Sequence, residues 1–289
     1  MPPGSPLTRA PGLSERQASL LEAWLPGATV VRDLGWGEVD RLVLAVEHRG
    51  ERLTVKAGGP QDHHQGREIH AHLHWLRPWQ ERGSVPLLRH HEAGASLLVT
   101  TFLPGRLVLG SPDQHDPGVF RQAGRLLALL HRQRDLQTVD PAYEPRENAR
   151  VLAHLDGPHR IAPATVRRLR AEVASWPAPP AVLVPTHGDW QPRNWVVDRR
   201  RVGVIDLGRA ALRPALTDLV RLAAQDFAGD PALEDAFVDG YGEDPRERDA
   251  WHRARLREAV ATAAWAFRTG LEDFEAQGHR MVAAALAEG

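Results

Sequence analysis

The feature that most constrains this fold is a change in hydrophobic periodicity along the 289-residue chain. Between residues 28 and 102, short apolar runs are separated by turn residues, a pattern typical of β-strands. Beyond residue 119 the apolar residues recur at helical spacing. Strands followed by helices predict an α+β fold, and the breaker Leu103-Pro104-Gly105 predicts a lobe boundary at residue 104. We therefore expect an N-terminal lobe at residues 1–104 and a C-terminal lobe at residues 105–289.

Local patterns place the individual elements. Ser14 is the expected N-cap of a helix that ends at Trp24. Met1–Gly12 is rich in proline and glycine, and we expect a disordered tail there. Strands are predicted at residues 28–34, 41–47, 51–57, 87–89, 96–102, 181–184, 194–197 and 202–205. Further helices are predicted at residues 65–82, 120–133 and 164–174, and from residue 217 onward.

The composition argues against several classes of function. The formal net charge is −1, so the chain lacks the basic surplus that would attract nucleic acid or an anionic membrane. No apolar run approaches the roughly 18 residues that a membrane-spanning helix needs. The sequence has no cysteine, which excludes disulfides, thiolate zinc sites and cysteine nucleophiles. Together these features favour a cytoplasmic protein that binds neither nucleic acid nor membrane.

The segment that carries most chemistry runs from His187 to Asn194, with the sequence His-Gly-Asp-Trp-Gln-Pro-Arg-Asn, and Asp206 follows after the next predicted strand. The carboxylate of Asp189 and the carboxamide of Asn194 can converge on one phosphate. Asp206 then completes a set of oxygen ligands of the kind that Mg²⁺ prefers. The alternative is a polar loop in which asparagine and aspartate only form turns. The order of the full set, with apolar strands on either side, favours the site.

This pattern, His-x-Asp-x₄-Asn followed by Asp after a strand, resembles the aminoglycoside phosphotransferase and choline kinase family. Gly188 after the histidine, and Ile-Asp in place of Asp-Phe-Gly, distinguish it from protein kinases. The resemblance implies a two-lobed protein-kinase-like fold, with a small N-terminal lobe of antiparallel sheet plus helix and a larger, mostly helical C-terminal lobe. It also implies that Asp189 is the catalytic base, that Asn194 and Asp206 hold Mg²⁺, and that ATP or GTP is the phosphoryl donor.

The upstream half of the chain agrees with this resemblance. Lys56, which lies near the end of a predicted strand, is the only lysine among the 36 lysine and arginine residues. A lysine is a compact point charge that an arginine fork does not replace. In the family a strand lysine, paired with a helix glutamate, holds the donor phosphates. Glu68 lies where that partner is expected, although a lone lysine can survive by chance and a helix glutamate is usually solvated.

Other positions acquire roles only through the resemblance. Gly35 and Gly37 match the turn that covers the phosphates, although a plain hairpin turn fits equally well. Backbone groups at Thr101 and Leu103 match the hinge that binds the purine. His187 and Asp218 match residues that support the catalytic loop, His187 through hydrogen bonds and not as a base.

The acceptor is the least constrained part of the interpretation. Trp190, Arg193 and Trp265 are candidate substrate-binding residues, and each tryptophan is otherwise a core residue. The segment beyond Gly105 is close to neutral, which favours a neutral or mildly charged hydroxylated antibiotic over a polycation. Within the family, the chain resembles the self-resistance kinases for nucleoside antibiotics, of the capuramycin phosphotransferase type. A metabolic kinase for choline, homoserine or a sugar is the main alternative, and a nucleotide-binding pseudokinase is the alternative of another class. We expect a monomer or homodimer.

A cluster of histidines offers a competing metal site. His70 and His74 are four residues apart on a predicted helix, a spacing that can bind metal. No cysteine or carboxylate stands in register with them, so we expect surface histidines here. The other members of the cluster are His63, His64 and His72.

Overall fold

A computed structural model describes residues 2–35 and 41–287 of the chain. The strands are β1 (Thr29–Asp33), β2 (Arg41–His48), β3 (Glu51–Gly58), β4 (Leu88–Glu92), β5 (Leu97–Thr101), β6 (Arg106–Leu107), β7 (Thr138–Asp140), β8 (Ala181–Thr186), β9 (Trp195–Asp198), β10 (Arg201–Val204) and β11 (Ala211–Arg213). The α-helices are α1 (Glu15–Trp24), α2 (His64–His74), α3 (Arg77–Gln80), α4 (Pro117–His131), α5 (Tyr143–Asp156), α6 (Pro163–Ser175), α7 (Val220–Ala224), α8 (Asp226–Gly229), α9 (Pro231–Tyr241), α10 (Arg248–Thr269) and α11 (Glu272–Ala287). The predicted α+β class is confirmed.

The largest sheet has the strand order β1-β2-β3-β5-β4, and its neighbouring strands are antiparallel. Successive side chains of a strand point to opposite faces. In the central strand β3, Leu53, Val55 and Ala57 therefore face one apolar core, together with α1. Lys56 faces the other side, where α2 lies, and this alternation brings the lysine to the helix that carries Glu68.

The N-terminal residues cover the sheet core. Leu7 is 1% exposed, and its N–H donates to the carbonyl of Ala28. The N–H of Gly4 donates in turn to Val30. The buried side chains of Leu7 and Ala10, and the backbone hydrogen bonds of Gly4 and Leu7, hold residues 2–12 in place. This order corrects the expectation of a disordered tail over Met1–Gly12. The predicted cap of α1 is present, because Ser14 and Gln17 form a capping box.

The helix expected at residues 65–82 is interrupted. α2 ends at His74 and the short α3 begins at Arg77. The break is explained by Pro78, which has no N–H to bond the carbonyl of His74 and disfavours a helical conformation in the residue before it. After the break, the side chain of Trp79 lies in the core and is fully buried. Its indole N–H donates to the carbonyl of Leu126 in α4 at 2.7 Å.

The chain divides into two compact units. The first comprises the described residues of 1–132, 187–211 and 235–242, and the second those of 133–186, 212–234 and 243–289. The lobe boundary expected at residue 104 stays a prediction of the sequence. Apart from Asp218 and Trp265, the described residues with predicted functional roles all belong to the first unit. Within the described ranges, no helix is long and apolar enough to span a membrane.

In the first unit, α4 and the end of α9 approach each other closely because both carry glycine at the crossing. A Cβ on Gly124 would stand 2.2 Å from the carbonyl oxygen of Phe237. A Cβ on Gly240 would stand 2.0 Å from the carbonyl oxygen of Arg121. Both contacts are to backbone, which cannot move aside as a flexible side chain can, so only glycine permits this packing.

We predict that Gly124→Ala destabilises the protein by about 1–3 kcal/mol, the usual cost of overpacking a well-packed site. Gly66→Ala is the matched control, because Gly66 lies in α2 with no atom within 4 Å of its added Cβ. That variant should be neutral or more stable by up to about 1 kcal/mol. Denaturant unfolding of both variants measures the effect. Equal stability of Gly124→Ala and wild type would contradict the described crossing.

Candidate active site

A β-hairpin brings the two predicted metal ligands together. β9 and β10 are antiparallel, and Trp195 at the start of β9 pairs with Val204 at the end of β10. The residues that flank this pair, Asn194 and Ile205, are joined by a hydrogen bond from the N–H of Ile205 to the carbonyl of Asn194 at 3.0 Å. Asp206 follows directly, so the hairpin register sets its position beside Asn194.

The catalytic loop is held by His187, whose side chain is fully buried. Its Nδ1 accepts a hydrogen bond from the N–H of Asp189 at 3.3 Å, so the ring proton is on Nε2, which donates to the carbonyl of Ile205 at 3.1 Å. Gly188 between them has φ +79°, a left-handed conformation that glycine adopts without strain. Both ring nitrogens of His187 are therefore used in orienting the loop.

The carboxylate of Asp189 is 4% exposed and is held by three side chains of its own loop. Oδ1 accepts a hydrogen bond from Nε2 of Gln191 at 2.6 Å. Oδ2 accepts from Nη2 and Nε of Arg193 at 2.6 and 3.2 Å, and from Nδ2 of Asn194 at 3.0 Å. These donors satisfy an otherwise costly buried charge and fix the orientation of its carboxylate.

Asn194 is oriented by Asp189. Its amide nitrogen Nδ2 donates both to the backbone carbonyl of Asp189 at 2.8 Å and to Oδ2 of the same residue. Because the nitrogen makes both bonds, the amide oxygen Oδ1 is the atom that Asn194 presents to a cation. An amide oxygen and a nearby carboxylate are the hard oxygen ligands that suit Mg²⁺, so the residues present fit the predicted metal.

Lys56 joins the strand, the helix and the second carboxylate. Its Nζ donates to both oxygens of Glu68 at 2.8 Å and lies 3.6 Å from Oδ1 of Asp206. The side chains of Lys56 and Glu68 are 13% and 5% exposed, whereas that of Asp206 is 43% exposed. Burial alone would lower the pKa of Lys56, but the charges of Glu68 and Asp206 raise it above its ordinary value of 10.5. Lys56 is therefore a fixed cation.

Asp206 is an ionised carboxylate with an unusual backbone. Removal from water would raise its pKa, but Lys56 and the N–H of Gly208 lower it to about 2. Its φ of +61° is in the left-handed region, which a residue other than glycine rarely adopts. Such conformations cluster at functional sites, where the surrounding structure maintains them.

The loop after Asp206 is tied to α2 by His64. Nδ1 of His64 lies 2.9 Å from the carbonyl oxygen of Gly208, and a Cβ on Gly208 would stand 3.1 Å from Cβ of His64. Burial, and next the charge of Arg41, lower the pKa of His64, which keeps the ring neutral near pH 7. The helix that carries Glu68 and the loop that follows Asp206 are thus held together.

The sequence matches a known protein family. The model of the phosphotransferase enzyme family known as APH matches residues 30–257, most of the chain.

The chain belongs to this phosphotransferase family. The prediction that it is an enzyme, a phosphotransferase, is thereby confirmed. No curated protein is similar enough in sequence to be matched to this phosphotransferase.

Solved structures support the kinase-like fold. Choline kinase LicA from Streptococcus pneumoniae has a TM-score of 0.66 at 13% identity, over 94% of this chain and 97% of its own. A thermostable mutant of aminoglycoside phosphotransferase APH(4)-Ia, in complex with ADP and hygromycin B, has a TM-score of 0.65 at 13% identity, over 96% and 99%. Macrolide 2′-phosphotransferase MphH from Brachybacterium faecium has a TM-score of 0.59 at 21% identity, over 88% and 91%.

The remaining nucleotide-binding residues of this phosphotransferase are placed as follows. The N–H of Gly35 donates to Oδ1 of Asp33 at 2.8 Å, whereas Gly37 lies outside the described residues. The N–H of Thr101 donates to the carbonyl of Leu87 at 2.8 Å, so that N–H is already used. Leu103 follows β5 and is half-buried. Purine binding by the hinge stays a prediction.

The structure places Trp190 in the core instead of at a substrate. Its side chain is 1% exposed, and its ring lies 5.3–5.6 Å from the rings of Trp79, Trp195 and His187. Because these three rings cover it, the ring of Trp190 cannot stack on an acceptor. It packs under the catalytic loop as part of the core. Trp265, in the second unit, is 41% exposed and remains a candidate.

Two other predictions concern buried polar residues. Asp218 is 2% exposed within the 3₁₀ turn Ala215–Leu219, and its support of the loop stays a prediction. His72 corrects the expectation of surface histidines, because it is 5% exposed and burial lowers its pKa to about 3. Among the residues described, no group of three or more histidines and carboxylates is arranged to hold a metal.

Sequence reasoning missed Gln191 and His64 as parts of the site. Gln191 lies inside the catalytic motif, and its spacing of two from Asp189 is the signal that could have found it. His64 carries no such signal, because its partner Gly208 is 144 residues away.

The pKa of Asp206 leads to a prediction about stability. Its folded-state pKa of about 2 is below the ordinary 3.8, so the ionised group contributes stability that is fully present above about pH 4 and is lost as the pH falls towards 2. The Tm difference between wild type and Asp206→Asn should therefore be largest at pH 6 and shrink by pH 3. Asp198→Asn, at an exposed aspartate of the same hairpin, is the control. A difference for Asp206→Asn that does not vary with pH would contradict the assigned pKa.

Proposed function

We propose that this phosphotransferase transfers the γ-phosphoryl group of ATP or GTP to a hydroxyl group of an antibiotic of the nucleoside or aminoglycoside type. The observation that carries the proposal is the convergence of Asp189, Asn194, Asp206 and Lys56 in one compact unit. Family membership supports the phosphotransferase part, and the similar structures named above support a small-molecule acceptor.

In the proposed reaction, the acceptor oxygen forms a bond to the γ-phosphorus, and the bond between that phosphorus and the β–γ bridging oxygen breaks. The nucleoside diphosphate leaves, and the proton of the acceptor hydroxyl passes to the carboxylate of Asp189. A bound Mg²⁺ would neutralise charge on the donor phosphates. Asn194 through Oδ1 and Asp206 through its ionised carboxylate would hold it.

The other groups bind and orient. Lys56 carries a fixed positive charge suited to the α- and β-phosphates, and Glu68 holds its ammonium group in place with two hydrogen bonds. His187 keeps the backbone of Asp189 oriented. These contacts fix the ammonium group of Lys56 and the backbone of Asp189, and fixed groups need little reorganisation during the transfer.

Two cavities of the second unit carry no acidic surplus. A cavity of about 850 Å³ there is lined by three arginines and one glutamate: Arg246, Arg255, Arg280 and Glu234. A smaller cavity of about 180 Å³ has three glutamates and three arginines: Glu144, Glu147, Glu258, Arg150, Arg213 and Arg257. Neither cavity has the acidic surplus that a polycationic aminoglycoside requires.

A metabolic kinase for choline, homoserine or a sugar is the second candidate. The observation in its favour is the similarity to choline kinase LicA, which covers 94% of this chain. A pseudokinase is disfavoured by the presence of all four polar groups. Cytoplasmic location and a monomeric or homodimeric state complete the proposal.

An assay of acceptor-dependent release of nucleoside diphosphate tests these candidates. The panel contains aminoglycosides, nucleoside antibiotics, a macrolide, choline, homoserine and simple sugars, each with Mg²⁺ and with ATP or GTP. Release with an antibiotic supports the proposal, whereas release only with choline, homoserine or a sugar supports the second candidate. Nucleotide binding without release for any acceptor would favour the pseudokinase.

We predict that Asp189→Asn lowers turnover by roughly 10²- to 10⁴-fold, the usual effect of losing a general base, and leaves nucleotide affinity within about 2-fold. Steady-state kinetics and calorimetric binding measure the two quantities. Arg199→Gln is the control, because Arg199 is exposed in the turn between β9 and β10. Unchanged turnover of Asp189→Asn would remove Asp189 from the mechanism.

Asp206→Ala should weaken nucleotide binding, which Asp189→Asn leaves nearly unchanged. It removes one of the two proposed metal ligands, so we expect nucleotide binding in the presence of Mg²⁺ to weaken by about 10-fold or more. Binding without Mg²⁺ should change less. Equal Mg²⁺-dependent binding by the variant and wild type would contradict the metal assignment.

A further inference from the structure

The guanidinium of Arg193 forms an ion pair with the proposed catalytic base. Two of its nitrogens, Nη2 and Nε, donate to the same oxygen of Asp189, Oδ2, at 2.6 and 3.2 Å. The Arg193 side chain is 38% exposed, whereas that of Asp189 is 4% exposed. The arginine thus covers the solvent side of a carboxylate that is otherwise enclosed by protein.

The local backbone fixes this contact. Arg193 lies in the 3₁₀ turn Pro192–Asn194, whose first residue has a restricted φ and is buried. The N–H of Asn194 donates to the carbonyl of Gln191 at 2.9 Å, and the carbonyl of Pro192 accepts from the N–H of Leu109 at 3.2 Å. These two hydrogen bonds fix the turn, and the turn reverses the chain so that Arg193 faces Asp189.

The charges around the site explain what the ion pair does. Asp189 and Asp206 are close enough for their like charges to repel each other. Lys56 is engaged with Glu68 and with Asp206. Arg193 supplies a positive charge directly at Asp189, and its two nitrogens hold one carboxylate oxygen in a fixed place.

We propose that Arg193 is a positioning residue that acts through Asp189: its hydrogen bonds hold the carboxylate in the orientation that receives the acceptor proton. This inference rests on the proposed function. In the transfer, the acceptor O–P bond forms, the γ-phosphoryl bond to the nucleoside diphosphate breaks, and the hydroxyl proton moves to Asp189. Arg193 contributes to this step and not to the affinity for either substrate.

The proposal differs measurably from the substrate-binding role that the sequence predicts for Arg193. A substrate-binding arginine would raise the KM of the acceptor when removed and leave kcat nearly unchanged. A positioning arginine would lower kcat at nearly constant KM, since misplacement of a catalytic group by about 1 Å costs about 10²-fold. The two roles are therefore separated by one kinetic experiment.

The experiment compares four variants with the best acceptor from the panel. Arg193→Gln and Arg193→Ala should lower kcat by roughly 10- to 100-fold, with the KM of each substrate within about 3-fold of wild type. Arg193→Lys, which keeps the charge but not the fork, should recover part of kcat. Guanidinium chloride at about 20 mM, far below the molar concentrations that unfold proteins, should raise the kcat of Arg193→Ala. Arg199→Gln is the control for loss of an exposed arginine nearby.

Any of three kinetic results would overturn the proposal. One is a raised acceptor KM with unchanged kcat, which would make Arg193 a substrate-binding residue. Another is wild-type kinetics in Arg193→Gln. A lowered kcat with neither rescue by lysine nor by guanidinium would also count against it, because the loss would then not depend on the positive charge.

A measurement without an acceptor separates this proposal from the proposed function. In thermal unfolding, Arg193→Gln should lower the Tm by about 2–4 °C in the wild-type background and by less in the Asp189→Asn background. Equal Tm shifts in the two backgrounds would overturn the ion pair even if the wild type is an active kinase. If the wild type transfers phosphate to no acceptor, the proposed function fails. The difference between the two Tm shifts then still tests the ion pair of Arg193 with Asp189.

Discussion

The constraint on which the active site depends is the neutralisation of three carboxylates in a small volume. Glu68, Asp189 and Asp206 lie within reach of two cations, Lys56 and Arg193. Clustered carboxylates repel one another and are costly to enclose, so each needs a cation or several hydrogen-bond donors. Lys56 serves Glu68 and Asp206, and Arg193 serves Asp189. A bound metal would add positive charge where Asp206 remains partly exposed.

Short, local features of the fold bring these charged side chains together. Strand alternation in β3 directs Lys56 away from the apolar core and towards α2. The register of the β9–β10 hairpin sets Asn194 beside Asp206. A buried histidine, His187, connects the start of the catalytic loop to the residue that follows β10. Beneath the loop, Trp79, Trp190 and Trp195 form a packed base that resists movement of Asp189.

The similarity to solved kinases establishes the architecture and leaves the acceptor to be decided by chemistry. Identities of 13–21% with the three structures described show the fold alone. Choline, an aminoglycoside and a macrolide are named with those structures, and they differ widely in charge and size. These comparisons therefore leave the class of acceptor open.

Sequence reasoning succeeded where function imposes an order on residue types. Asp189, Asn194 and Asp206 are recognisable because they stand in one order between apolar strands, and the structure brings them together. Lys56 and Glu68 are recognisable because a lysine near the end of a strand precedes a helix with a glutamate in its second turn. The capping box at Ser14 and Gln17 and most strand bounds follow from local patterns in the same way.

The sequence does not predict the surroundings of a residue where contacts between distant parts of the chain determine them. Trp190 stands beside the base in sequence, yet only the structure shows that two other tryptophans cover its ring. The burial of Leu7 overrides the proline and glycine content of the N-terminal residues. For Arg193 the sequence predicts a substrate contact, because a charged residue in an active-site loop carries no sign of its partner. Its bond to Asp189 depends on the geometry of the 3₁₀ turn between them.

The central claim is that one cluster of residues holds the metal-bound donor while Asp189 is kept for the acceptor. A crystal structure with Mg²⁺ and a non-hydrolysable ATP or GTP analogue tests it most directly. We expect a metal ion bound by Oδ1 of Asn194 and the carboxylate of Asp206, phosphates against Nζ of Lys56, and an Asp189 carboxylate that does not bind the metal. A metal bound by Asp189, or a nucleotide bound away from Lys56 and Asp206, would contradict it.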